Sequence, residues 1–164
     1  MGSEGDFVRE IKFKAFIKHL KWMCEVESID FINELVEVDL SAGQGDTSWY
    51  PFDEVELIQF SGIKDRYENE IYEGDILKVF VYTDEDEHVE TGEEYKKPYL
   101  GIAKFEGGCF VLDVGLTSNN DCLYHYNEVG NFGECEIIGN LFEHPELEQQ
   151  MYDELLAEVR GATG

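Results

Sequence analysis

The chain has 164 residues, 12 of them Lys or Arg and 37 Asp or Glu, for a formal net charge of −25. That length suits one domain, or two small halves sharing a core. The 43% apolar and 13% aromatic content excludes disorder as the state of most of the chain. No run of about 18 apolar residues is present to span a membrane, and clustered cations are too few for a general nucleic-acid binder. The opening MGSEGDFVRE has no apolar stretch of the signal-peptide kind. Residues 1–10 read as a leader, either a tag or a disordered segment.

The acid is unevenly spread. Residues 1–24 carry five basic groups (Arg9, Lys12, Lys14, Lys18 and Lys21) against three acids, whereas residues 25–164 carry seven against 34, a balance of −27. The densest block holds Asp84, Glu85, Asp86, Glu87, Glu90, Glu93 and Glu94 within eleven positions. Like charges so close repel and favour an extended, solvated loop between two strands. Such runs ordinarily just face water; the sharper reading is an acidic surface that engages a basic partner.

In chain order, Ile11, Phe13, Ala15 and Ile17 alternate with Lys12, Lys14 and Phe16, a period of two that predicts a strand. KHLK turns the chain, WMCEVESIDF begins a second strand, and NELVEVDL alternates again. SAGQGDTSWYP reads as a loop, after which EVELIQF forms a strand that breaks at Ser61-Gly62. DILKVFVYT is rich in β-branched and aromatic residues and predicts a strand buried on both faces. YLGIAKF and CFVLDVG flank Gly107-Gly108, a tight hairpin signal. CLYHYNEVG and ECEIIGNLF supply further strands. Only the tail changes period. Pro145 stands at a first helical position, and Leu147, Met151, Leu155 and Val159, with Tyr152 and Leu156, predict an amphipathic helix over 145–160. The fold class is therefore mainly β: antiparallel sheets in a partly open barrel or sandwich, with a C-terminal amphipathic helix. Open sheet edges and the helix both allow a homo-oligomer.

Chemical motifs are sparse. Cys24, Cys109, Cys122 and Cys135 form no CxxC pair, and three of them lie in or beside apolar strand-like runs. They read as reduced, small buried hydrophobes, with no zinc site and no disulfide framework. GQGDTS (43–48) lacks the Lys of a phosphate loop. Asp84-x-Asp86-x-His88 begins like a calcium loop but has Val89 and Tyr95 where Gly and Glu are needed. His19, His88, His125 and His144 find no nucleophile elbow, and Trp49, Tyr50, Phe52 and Phe60 read as core. No catalytic residue, metal or cofactor is expected.

Two strings carry the strongest local logic. In FSGIKDRYENEIYEGDILKVF (60–80), Asp65 to Asn69 is turn chemistry, Gly74 permits positive φ or a bulge, and Asp75 can accept backbone N–H groups to fix a corner. In CEIIGNLFEHPEL (135–147), Gly139 permits close approach of another backbone, and Asn140 tolerates a left-handed conformation that ends the strand. Together these strings resemble the YopX family of phage and prophage proteins, with its GLKDKNGKEIYEGDI-like and EVIGNIYENPEL-like segments. The matching residues are Gly62 to Asp65, Glu70 to Ile76, Glu136 to Leu141 and Pro145 to Leu147, and IKFKAF with Trp22-Met23 is similar to the family's first hairpin. Coverage runs from about Ile11 to Leu147, so 11–147 is the expected β domain. One departure is that Tyr67-Glu68 stands where the family has Asn-Gly.

The resemblance implies a mainly β, phage-encoded protein of the bacterial cytoplasm and no enzyme. The expected role is an accessory protein that binds a host protein through an acidic surface, as a DNA mimic competing for a basic groove would. The alternative is a nucleic-acid-associated module that uses the basic N-terminal hairpin of Lys12, Lys14, Lys18, Lys21 and Trp22. Direct nucleic-acid binding by the rest of the chain is not expected. Gly74, Asp75, Gly139 and Asn140 are expected to be structural.

Overall fold

A computed structural model describes residues 10–81, 98–115, 121–126 and 133–162. Its strands are β1 (Phe13–Ile17), β2 (Trp22–Asp30), β3 (Leu35–Asp39), β4 (Thr47–Pro51), β5 (Val55–Lys64), β6 (Glu70–Tyr72), β7 (Asp75–Val81), β8 (Tyr99–Glu106), β9 (Cys109–Asp113), β10 (Asp121–Cys122) and β11 (Gly133–Asn140). One helix, α1 (Pro145–Ala162), follows. A six-stranded sheet has the order β4-β3-β2-β1-β5-β6, and a five-stranded sheet has the order β10-β9-β8-β7-β11. The strand pairings are antiparallel. The fold is thus mainly β in two open sheets, neither closed into a barrel. The acidic block 84–94 lies outside the described residues.

Alternation explains the core. In β1, Ala15 and Ile17 join Cys24, Val36, Val38 and Val55 on one side of the first sheet, while Phe16 joins Ile58, Phe60 and Tyr72 on the other. β7 is buried on both faces, as its composition predicts. Leu77 and Val79 pack with Ala103, Leu112 and Cys135, and Ile76 packs with Ile102 and Met151 beneath α1. The sheets are stitched by two neighbouring residues of β6, whose side chains point opposite ways. Ile71 enters the second sheet's cluster and Tyr72 the first's.

Four local expectations are corrected. TSWYP is a strand, because it pairs residue for residue with β3. β5 does not stop at Ser61-Gly62: Gly62 takes φ +83° within an irregularity and the strand runs on to Lys64. In the CLYHY segment only Cys122 is a strand residue, paired in β10 with Asp121, and a 3-10 turn follows over Leu123–Tyr126. Leu123 and Tyr126, three apart, are both buried in one cluster, which a three-residue turn achieves and a strand cannot. The apolar stripe of α1 is narrower than its sequence suggests. Met151 is buried and Leu147, Tyr152 and Leu155 pack partly, whereas Leu156 and Val159 are exposed.

This difference along α1 is measurable. Met151→Ala leaves a cavity between helix and sheet and should destabilise the protein by about 2–4 kcal/mol in urea unfolding. Leu156→Ala should stay within about 0.5 kcal/mol.

Candidate functional site

The two sequence strings meet where the sheets join. Asp65, in the β5–β6 turn, is 1% exposed. Its Oδ1 accepts the N–H groups of Tyr67 and Asn69 at 2.9 Å each. Its Oδ2 accepts Asn69 Nδ2 at 3.3 Å and, from β11, the backbone N–H of Ile137 at 3.1 Å. Beside it the Arg66 N–H donates to Cys135 O at 2.9 Å, and Arg66 also pairs with Glu134. The turn therefore closes the free edge of β11. Glu68, in the position the family motif gives to Gly, takes φ +67°. The turn keeps its left-handed position although the residue has changed.

The corner between β6 and β7 is built as tightly. Gly74 takes φ +86°, its N–H donates to Ala103 O at 2.7 Å, and its carbonyl accepts Leu141 N–H at 2.9 Å. A Cβ there would lie 2.7 Å from the Phe142 ring. Glycine is required on both counts, conformation and space. Asp75 Oδ2 accepts the Tyr72 N–H at 2.8 Å, fixing the corner as its sequence position predicts.

The β11 end departs from expectation in two ways. Space at Gly139 is filled not by another backbone but by side chains: a Cβ would meet Leu147 at 2.7 Å and His144 at 3.0 Å. Asn140 is absent from the positive-φ residues. It ends the strand through its side chain instead, with Oδ1 accepting the N–H groups of Phe142 and Glu143 and Nδ2 donating to the Glu143 carboxylate. This turn-forming role is the one short Asn side chains play at strand and helix boundaries.

These parts enclose a cleft of about 570 Å³ between the sheets. Lys14 and Lys64 line one side, Glu68, Asn69 and Glu70 the turn, and Asp75, Ile137, Gly139 and Asn140 the other. Two carboxylates here are pushed apart. Hydrogen bonds from Lys12 and the Tyr72 hydroxyl hold Glu70 below its ordinary value, while burial raises Asp75 to about 6. Such splitting marks acid–base couples in active sites. Here the ionised member has both oxygens engaged, one by Lys12 and the other by the Tyr72 hydroxyl. These two bonds fix the orientation of the Glu70 carboxylate beside the corner.

Elsewhere the residues with possible chemistry mostly serve the structure. In the 40–46 loop, the Asp39 carboxylate accepts the Ser41 and Gly43 N–H groups, and Ser41 Oγ accepts those of Gln44 and Asp46. A phosphate would find those donors taken. Cys24 and Cys135 are buried, and desolvation pushes the Cys135 thiol up to about 12, away from nucleophilic use. Cys109 is exposed and Cys122 half-buried, so burial was expected too broadly. Of the expected core aromatics, Phe60 is buried, Tyr50 and Phe52 pack partly, and Trp49 is 48% exposed. Among the described residues no group of His, Cys, Asp and Glu comes together to hold a metal. The calcium-like Asp84, Asp86 and His88 lie outside them. No helix of the described residues is long and apolar enough to cross a membrane.

Two consequences are testable by denaturant unfolding. Asp65→Ala orphans the Ile137 N–H and the turn donors and should cost about 3–5 kcal/mol. Asp75 has the opposite sign. Because folding raises its carboxyl to about 6, its charged form is disfavoured in the fold, and stability falls as pH rises through that value. Asp75→Asn should be about 1–2 kcal/mol more stable than wild type at pH 7.5, with the difference vanishing near pH 4.

Comparison with known proteins agrees with this geometry. The family model described as YopX protein matches residues 12–148, spanning both strings and the corner between them. The crystal structure of protein EF1440 from Enterococcus faecalis is similar in fold, with a TM-score of 0.53 and 23% identity over 85% of this chain and 99% of that one. No curated protein matches. The match covers the turn, the Gly74 corner and the Asn140 strand end together, and the chain belongs to the YopX family.

Proposed function

We propose that this chain is a non-enzymatic accessory protein, encoded by a phage or prophage. It acts in the bacterial cytoplasm by binding a host protein through an acidic surface. The partner carries a basic groove of the sort that holds nucleic acid, and the acidic surface competes for it. One observation carries this reading. Half of the twelve cations pair with neighbouring carboxylates among the described residues: Lys12 with Glu10 and Glu70, Lys14 with Glu25, Lys18 with Glu56, Lys64 with Glu68, Arg66 with Glu134 and Lys104 with Asp113. Carboxylates far outnumber these cations, so the surplus stands unneutralised and sets the field a partner meets. The block from Asp84 to Glu94 adds seven acids to that surplus.

The same pairing weakens the nucleic-acid alternative. Of the hairpin cations, Lys12, Lys14 and Lys18 face carboxylates, and Lys14 also lies 4.5 Å over the Tyr72 ring. A phosphate backbone would have to break those pairs to gain contacts.

Immobilised protein should capture a basic protein from bacterial extract at low salt and release it by about 0.5 M salt, where screening is nearly complete beyond a few ångströms. Capture that survives high salt, or the absence of any basic partner, contradicts the mimic. Duplex DNA should give no gel shift at low salt; a shift would favour the hairpin reading.

A further inference from the structure

The β2–β3 turn exposes two large apolar side chains, one of which the core does not use. Ile32 is 93% exposed and Phe31 71%. The turn is nonetheless held rigidly. Asp30 Oδ1 accepts the N–H groups of Ile32 and Asn33 at 3.0 Å each, and Oδ2 accepts Asn33 Nδ2 at 2.7 Å. Glu34 closes the turn at φ +56°, and its carbonyl accepts the Phe52 N–H at 2.9 Å. The Phe31 ring meets Phe52 edge-on at 6.1 Å. A turn of Asp and Asn needs no large apolar residue at its tip, and burying nothing, Ile32 contributes nothing to the core.

Acidic residues flank this apolar tip. Glu34, Asp53 and Glu54 are exposed beside it, and no ion pair among the described residues neutralises them. Lys18, close by, donates to the Asp53 carbonyl and pairs with Glu56 rather than with these carboxylates. A rigid apolar anchor with a charged rim is the anatomy of an interface centre, where the buried anchor gives affinity and the rim gives steering.

We propose that this turn is a docking knob: Ile32 and Phe31 enter an apolar pocket on a partner protein whose rim carries Lys or Arg. The proposal rests on the acidic-surface reading and deepens it by locating the anchor. A phospholipid surface fits poorly, because the flanking carboxylates oppose phosphate headgroups. A second copy fits poorly as well, because two chains of charge −25 repel.

The test places the photo-crosslinker p-benzoylphenylalanine at position 32 of the full chain and irradiates it in bacterial cytosolic extract at low salt. The protein found in the adduct is then purified and its affinity measured for wild type, Ile32→Asp and Glu34→Lys. The proposal expects the adduct to map to an apolar pocket bordered by Lys or Arg. It also expects Ile32→Asp to weaken binding at least tenfold with an unchanged melting temperature, and Glu34→Lys to slow association. A partner captured by wild type and bound equally well by Ile32→Asp overturns the knob and leaves the acidic-surface reading standing. Absence of any partner at low salt overturns both. Adducts confined to a second copy of the chain, or binding to phosphatidylcholine vesicles instead, also overturn the knob.

Discussion

Asp65 joins the two halves of the protein. It is a carboxylate with almost no exposure, held by N–H donors rather than by a cation. A buried polar side chain is tolerable only when its lone pairs are satisfied; the turn supplies three of the donors and β11 the fourth, so docking on β11 completes the set. The constraint propagates outward. Docked on β11, the turn sets the position of β6, whose Ile71 and Tyr72 fill the two clusters on either side. It also leads the chain into the Gly74 corner that starts the second sheet.

Charge then decides what such a scaffold can present. Cations are scarce, and those described are mostly matched to a nearby carboxylate. Exposed pairs of this kind add little stability. Their consequence lies in subtraction, since a paired lysine is unavailable to phosphate and the leftover field is negative. On that field the Phe31–Ile32 turn is an apolar exception with a rigid base. The functional reading thus draws on two opposite properties of one surface, long-range attraction and short-range burial.

Much of the fold was legible because a period of two is hard to mistake and the Gly74–Asp75 corner is local. Positive φ at Gly74 and the Asp75 bond to Tyr72 N–H lie within a few residues of each other. What escaped was long-range or depended on context. Asp65 reads as turn chemistry, but nothing near it in sequence points to Ile137, 72 positions away. TSWYP reads as a loop because Gly, Ser and Pro dominate its neighbourhood, and only pairing with β3 makes it a strand. The strand end expected from the Asn140 backbone is made by its side chain instead. The acidic block, the most conspicuous feature of the sequence, lies outside the described residues, so the structure bears on the candidate site mainly through its cleft and its paired cations.

Amide hydrogen exchange at Ile137 tests the central claim most directly. It sits on the outward side of an edge strand, where an N–H ordinarily exchanges with solvent. If Asp65 clamps the sheets, this amide should be as protected as Leu77 in the middle of β7, and open only with the whole fold. Exchange at the rate of the 40–46 loop amides would mean that the carboxylate does not hold β11, leaving the Arg66 contacts, the packing of β6 and the corner to join the sheets.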